Sequence, residues 1–139
     1  MSLDIILIQF QNSLISFFDE MIELFPKEAD FIKIRIFLKD QVDIQTVMDT
    51  FTYSINRTDN NDHTIKAMIK ERNYLHIIDN PVFSDNFSKE KIIYYKKLWN
   101  SFYSEDKKMV WKWLDSFVGI CDKYNKLRNN NNSTNLTST

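Results

Sequence analysis

Apolar residues recur at steps of three and four through most of the chain, the interval that lines one face of an α-helix. Over residues 3–25, Leu3, Leu7, Phe10, Leu14, Phe17, Met21 and Leu24 form such a stripe, and Ile6, Ile15, Phe18, Ile22 and Phe25 widen it. A first helix covered around much of its girth is expected. Its acids Asp19, Glu20 and Glu23 crowd the C-terminal end, where the macrodipole disfavours them. Pro26 suits the first turn of a second helix, with Glu28 and Asp30 following at the favourable end. The segment "FIKIRIFLKD" is ambiguous, because Ile32, Ile34, Ile36 and Leu38 alternate with Lys33, Arg35 and Lys39 as in a half-buried strand. A strand needs a partner, and no other segment alternates as cleanly, so helix is preferred and a short strand stays as the rival.

Residues 43–56 give the clearest helical pattern, with Asp43 as cap and Ile44, Val47, Met48, Phe51 and Ile55 inward. A polar loop, "NRTDNND", separates it from a helix capped by Asp62, with Ile65, Met68 and Ile69 inward, which can continue with a bend to Asp79. The stretch around Pro81 reads as a connector, since the residue before proline avoids helical angles. Ser88 then caps a helix over 89–102, with Ile92, Tyr95, Leu98, Trp99 and Phe102 on one face. Ser104 caps a last helix over 105–127, with Glu105 and Asp106 at its start and Lys123 and Lys126 near its end. From residue 128 onward Asn, Ser and Thr dominate without periodicity. The expectation is an all-α protein: one compact bundle of five to six helices over residues 1–127 and a disordered Asn/Ser/Thr-rich tail over 128–139.

Composition supports that class. Of 139 residues, 43% are hydrophobic, enough to build a core without staples. A single glycine, Gly119, argues against a fold rich in hairpin turns, and neither glycine-rich phosphate-binding loop can be written with it. One cysteine, Cys121, makes an intrachain disulfide impossible and suits a reducing compartment. The opening "MSLDIILIQFQNSLISFF" has no basic flank and is interrupted by Asp4, Gln9, Gln11 and Asn12, so neither signal peptide nor membrane span is expected. Charge is uneven: residues 1–30 hold one base against six acids, and residues 63–112 hold ten bases against six acids, nets of −5 and +4. That polarity can orient a partner or help self-association.

Two tryptophans two positions apart in the last helix, Trp111 and Trp113, point about 160° apart on a helical wheel. Val110, Trp113, Leu114, Phe117, Cys121 and Tyr124 share one face, which accounts for Trp113 as core and leaves Trp111 on the edge with Val118. Either that edge is buried against neighbouring helices or it is a contact site, tryptophan being enriched at binding hot spots. Trp111, Lys112, Asp115 and Val118 are the candidate partner-binding residues, with the flank of Tyr94 and Trp99 as a second candidate.

Chemistry finds little to stand on. His63 and His76 lie thirteen apart, and no close-spaced ligand pair accompanies them, so no metal, cofactor or small-molecule substrate is expected. Cys121 on a core face is a poor nucleophile. Paired acids such as Glu20 and Glu23 belong to a solvated surface unless a cleft gathers them, so an enzyme is not expected. The stronger rival is nucleic-acid binding through Lys89, Lys91, Lys96, Lys97 and Lys108 interleaved with aromatics over residues 89–112. Those lysines fall around the helices rather than along one stripe.

The blocks "FFDEMIELFPKEADFIKIRIFLKDQ" and "SFYSEDKKMVWKWLDSFVGICDKY" resemble small proteins encoded by large DNA viruses of protists, the giant viruses and their algal-virus relatives. The richness in Ile, Asn, Lys, Phe and Tyr is also that of an AT-rich genome. The resemblance implies no enzyme mechanism. It implies a viral accessory or structural component of the virion or virus factory, located in host cytoplasm or virion, acting through a protein partner or self-association.

Overall fold

The computed structural model describes residues 2–57, 64–80 and 87–137, the last seven of these by backbone alone. The expected Asp62 cap, His63 and the Pro81 connector lie outside the described residues. Within them the chain is helical and contains no strand: α1 (Leu3–Leu24), α2 (Ala29–Asp40), α3 (Ile44–Asn56), α4 (Ile65–Lys70), α5 (Tyr74–Asp79), α6 (Lys89–Ser101) and α7 (Ser104–Thr137). Seven helices among the described residues stand against five to six expected. The extra one arises where a bent helix was read through to Asp79: the chain instead stops at Lys70 and restarts at Tyr74.

The caps explain most boundaries. Ser2, Thr64, Asn73 and Ser88 each accept a backbone N–H from the first turn of the helix that follows. Asp43 does the same for α3, accepting from the Gln45 N–H at 3.3 Å and the Thr46 hydroxyl at 2.9 Å. Two expected helix starts differ. Ser104 already lies inside α7; the Tyr103 N–H before it donates to Asp106 Oδ2 at 3.1 Å, one half of a capping box. Pro26 does not open α2, which begins at Ala29 after a turn closed by the Glu28 N–H on the Phe25 carbonyl.

The helices gather in two compact units, one of residues 1–52 and 119–139, the other of residues 53–118. In the first, α1 and α2 form a hairpin. The ambiguous "FIKIRIFLKD" is helix, and it buries Phe31 and Leu38, seven apart, while Ile32, Ile34, Ile36 and Phe37 remain exposed. The alternation therefore did not mark two sheet faces. Arg35, between the two buried residues, reaches across to Asp19 of α1, and Gln11 donates to the Leu38 carbonyl at 2.9 Å. Phe10 of α1 packs against Phe51 of α3 with ring centroids 5.7 Å apart.

The later part of α7 docks on α3 in this unit. Cys121 and Met48, both fully buried, meet sulfur to sulfur at 3.6 Å. The Tyr124 hydroxyl donates to Asp49 Oδ1 at 2.6 Å, and Arg128 bonds the same oxygen at 2.6 Å. Burial, and then Asp49, push the Tyr124 phenol above its ordinary pKa. Arg128 lies one residue past the expected end of the last helix, and the helical backbone continues to Thr137.

Gly119 sits in the interior of α7, exposed, and a Cβ built there meets nothing within 4 Å. Nothing in the structure uses its freedom, while glycine in a helix interior costs roughly 0.5–1 kcal/mol relative to alanine. Gly119→Ala should raise unfolding stability by about that amount, read as a higher denaturant midpoint with an unchanged slope.

Candidate functional site

The site is built in the second unit, where α4 and the first half of α7 come together. α4 has six residues, too few to stand alone. Its Ile65, Met68 and Ile69 are buried, as the three-and-four spacing predicts. It ends in a Schellman turn: the Arg72 N–H donates to the Ile69 carbonyl at 3.0 Å and the Asn73 N–H to the Met68 carbonyl at 2.9 Å. That turn places Arg72 in the left-handed region at φ 59°, a position usually given to glycine. For arginine it costs roughly 1 kcal/mol.

The side chain offsets that strain. Arg72 grips Asp115 of α7 with two nitrogens, at 2.7 and 2.6 Å, and one of them also donates to the Ile69 carbonyl at 3.0 Å. Its guanidinium lies 5.4 Å from the centre of the Trp111 ring. The hydrogen bonds hold the Asp115 carboxyl below its ordinary range and raise Arg72 further, so both stay charged near neutrality. Nearly half of each side chain is exposed, so the ion pair itself contributes about 1 kcal/mol at most.

Trp111 is half-buried, and what covers it is aromatic. It meets Trp99 of α6 edge-on at 5.4 Å and 77°, and Trp99 stacks on Tyr74 of α5 at 4.5 Å and 15°. Lys107 lies over the Trp99 ring at 5.5 Å. The Tyr74 hydroxyl donates to the Tyr95 carbonyl at 2.9 Å; burial, and secondarily Asp79, push its phenol up to about 12. The two candidate surfaces read from the sequence thus meet: Trp111 and Trp99 are ring neighbours. Trp113, on the other face, stacks on Phe117 at 5.9 Å.

Beside this cluster a cleft of about 400 Å³ opens between α4 and α7. Ala67, Ile69 and Val118 make it apolar, and Thr64, Lys66, Lys70 and Asp115 surround them. Asp115 and Val118, both expected on the Trp111 edge, line it. Lys112, also expected there, is exposed one turn before Asp115. Tyr94 lies apart, against Tyr95 and beneath the Lys91 ammonium at 5.9 Å. Arg72, Lys66 and Lys70 went unsingled in the sequence, where nothing distinguishes them from other surface bases.

Of the five lysines read as a nucleic-acid surface, three have partners within the protein, Lys91 and Lys108 while remaining exposed. Lys96 pairs with Asp79 at 2.7 Å, Lys108 with Glu105 at 3.4 Å, and Lys91 lies over two tyrosines. Lys89 and Lys97 are exposed. His76 is exposed, with its Nδ1 2.7 Å from the Asn73 side-chain nitrogen, and it borders no cleft described above. Among the described residues no three His, Cys, Asp or Glu side chains converge as metal ligands, and no helix is long and apolar enough to cross a membrane. Comparison with known proteins gave no match: no family model, no curated protein and no solved structure aligns with the chain.

Two outcomes test the geometry. Replacing Arg72 with alanine removes the Asp115 and Trp111 contacts but keeps the left-handed backbone, whereas glycine removes the strain as well. Arg72→Gly should therefore be more stable than Arg72→Ala by about 1 kcal/mol in chemical denaturation, with both shifting tryptophan emission. For Tyr74, a folded pKa near 12 above an unfolded value near 10 means stability is intact below pH 10 and is lost as pH rises toward 12. Tyr74→Phe should flatten that alkaline loss and delete one late-ionising phenol from the ultraviolet titration.

Proposed function

We propose that this chain is a protein-interaction module without catalysis of its own, and that its contact surface is the cleft between α4 and α7. The observation that carries this reading is the composition of the cleft: apolar walls from Ala67, Ile69 and Val118 beside the cations of Lys66 and Lys70. Its carboxylate, Asp115, is already taken by Arg72. Such a cleft suits an apolar side chain flanked by carboxylates, the apolar part supplying affinity and the charges orientation. The aromatic stack of Tyr74, Trp99 and Trp111 connects to the cleft border through Arg72, which lies over Trp111 and bonds Asp115. With the resemblance to proteins of large DNA viruses, the module becomes an accessory or structural component of virion or virus factory, working in the host cytoplasm. Nucleic-acid binding through Lys89, Lys91, Lys96, Lys97 and Lys108 draws less support, because these lysines fall around the helices rather than along one stripe.

A photo-activated benzoyl-phenylalanine at position 118 tests the reading in the full-length chain. The expected result is a discrete cross-linked protein product, reduced by Lys70→Glu and absent when the label replaces the exposed Tyr103. A nuclease-sensitive product that weakens steeply with salt would favour the nucleic-acid reading instead.

A further inference from the structure

The cleft has a complement within the same sequence. α1 carries four acids, Asp4, Asp19, Glu20 and Glu23, and no base. Near its N-terminus Ile5 and Ile8 are more than half exposed, at 55% and 57%, although both are large and apolar. They stand three apart, hence as neighbours on the helix surface, and Asp4 adjoins them. This is the chemistry the cleft asks for: apolar side chains for Ala67, Ile69 and Val118, and a carboxylate for the exposed Lys70. Resting on the reading of the cleft as a protein-contact site, we propose that its occupant is α1 of a second copy of this chain, entering through Ile5 and Ile8 with Asp4 toward Lys70.

The charge distribution argues for a second copy. The nets of −5 over residues 1–30 and +4 over residues 63–112 attract between two molecules when acidic helix faces basic cleft. Self-association of this kind is a contact between unlike surfaces, the cleft of one copy against α1 of another. One helix end in one cleft is a small interface, so the pair is expected to be weak and concentration-dependent. The opposed charges set the salt dependence, since exposed ion pairs weaken as the Debye length shortens.

The test mixes equal amounts of isotopically heavy and light full-length protein carrying benzoyl-phenylalanine at position 118, with sedimentation of the unlabelled chain alongside. Expected are a dimer in the micromolar range that weakens in high salt, and heavy–light cross-links that map to residues 4–9. Ile8→Glu should weaken dimerisation at least tenfold while leaving helicity unchanged, and Ile8→Leu should retain it. The pair Lys70→Glu with Asp4→Lys, each weakened alone against wild type, should recover affinity when mixed. A chain monomeric at all concentrations, or cross-links confined within one chain or mapping away from α1, would overturn the second-copy occupant. If position 118 at the same time captures a different protein, the cleft reading stands and only its occupant changes; if position 118 captures nothing in any setting, both fall.

Discussion

The bond that ties the turn after α4 to α7 is made by a residue in the wrong conformation for its type. Arg72 occupies a left-handed position that glycine would take without strain, and it remains there because its side chain finds Asp115, the Ile69 carbonyl and the face of Trp111 together. No single contact suffices, since each is partly exposed and contributes about 1 kcal/mol or less. Jointly they balance the backbone cost and set the register of a six-residue helix against a long one. The cleft follows, because Asp115 is at once the arginine's partner and part of the cleft's border.

The same economy of shared atoms recurs in the other unit. Asp49 Oδ1 receives both the Tyr124 hydroxyl and Arg128, fixing the polar end of a contact whose apolar end is Cys121 on Met48. Dry packing supplies the stability there, for two fully buried sulfur-bearing side chains leave no room for water. The hydrogen-bonded carboxylate supplies direction, because a misplaced helix would leave it and the tyrosine poorly partnered.

A functional reading has to come from surface chemistry, since no solved structure matches the chain. Helical units of this size serve many purposes, and architecture alone selects none. What the surface offers is segregation: acids concentrated on α1, lysines beside an apolar cleft on α4, and isoleucines left exposed on α1 and α2. Exposed apolar side chains near one sign of charge, and an apolar recess near the other, make contact with protein the most economical use of both.

The sequence by itself determined the helical class, the inward faces of α3, α4 and α6 and the caps Asp43 and Ser88, because these depend on neighbours three or four residues away. It also put Trp111, Asp115 and Val118 on one edge of α7, a matter of spacing alone. It misplaced the start of α2, joined α4 to α5, and ended the last helix short of Arg128, all at boundaries where local signals are weakest. Nothing local could show that Trp99 would meet Trp111, or that Arg72, forty-three residues before Asp115, would be its partner. For the alternating stretch at 31–38, helix was preferred with a strand as rival, and packing on α1 selected Phe31 and Leu38 for burial. Tertiary structure decided these points because a side chain's partner across the fold is fixed by the packing of whole helices, and only the sum of those contacts makes a strained arginine or a borderline helix the favoured state.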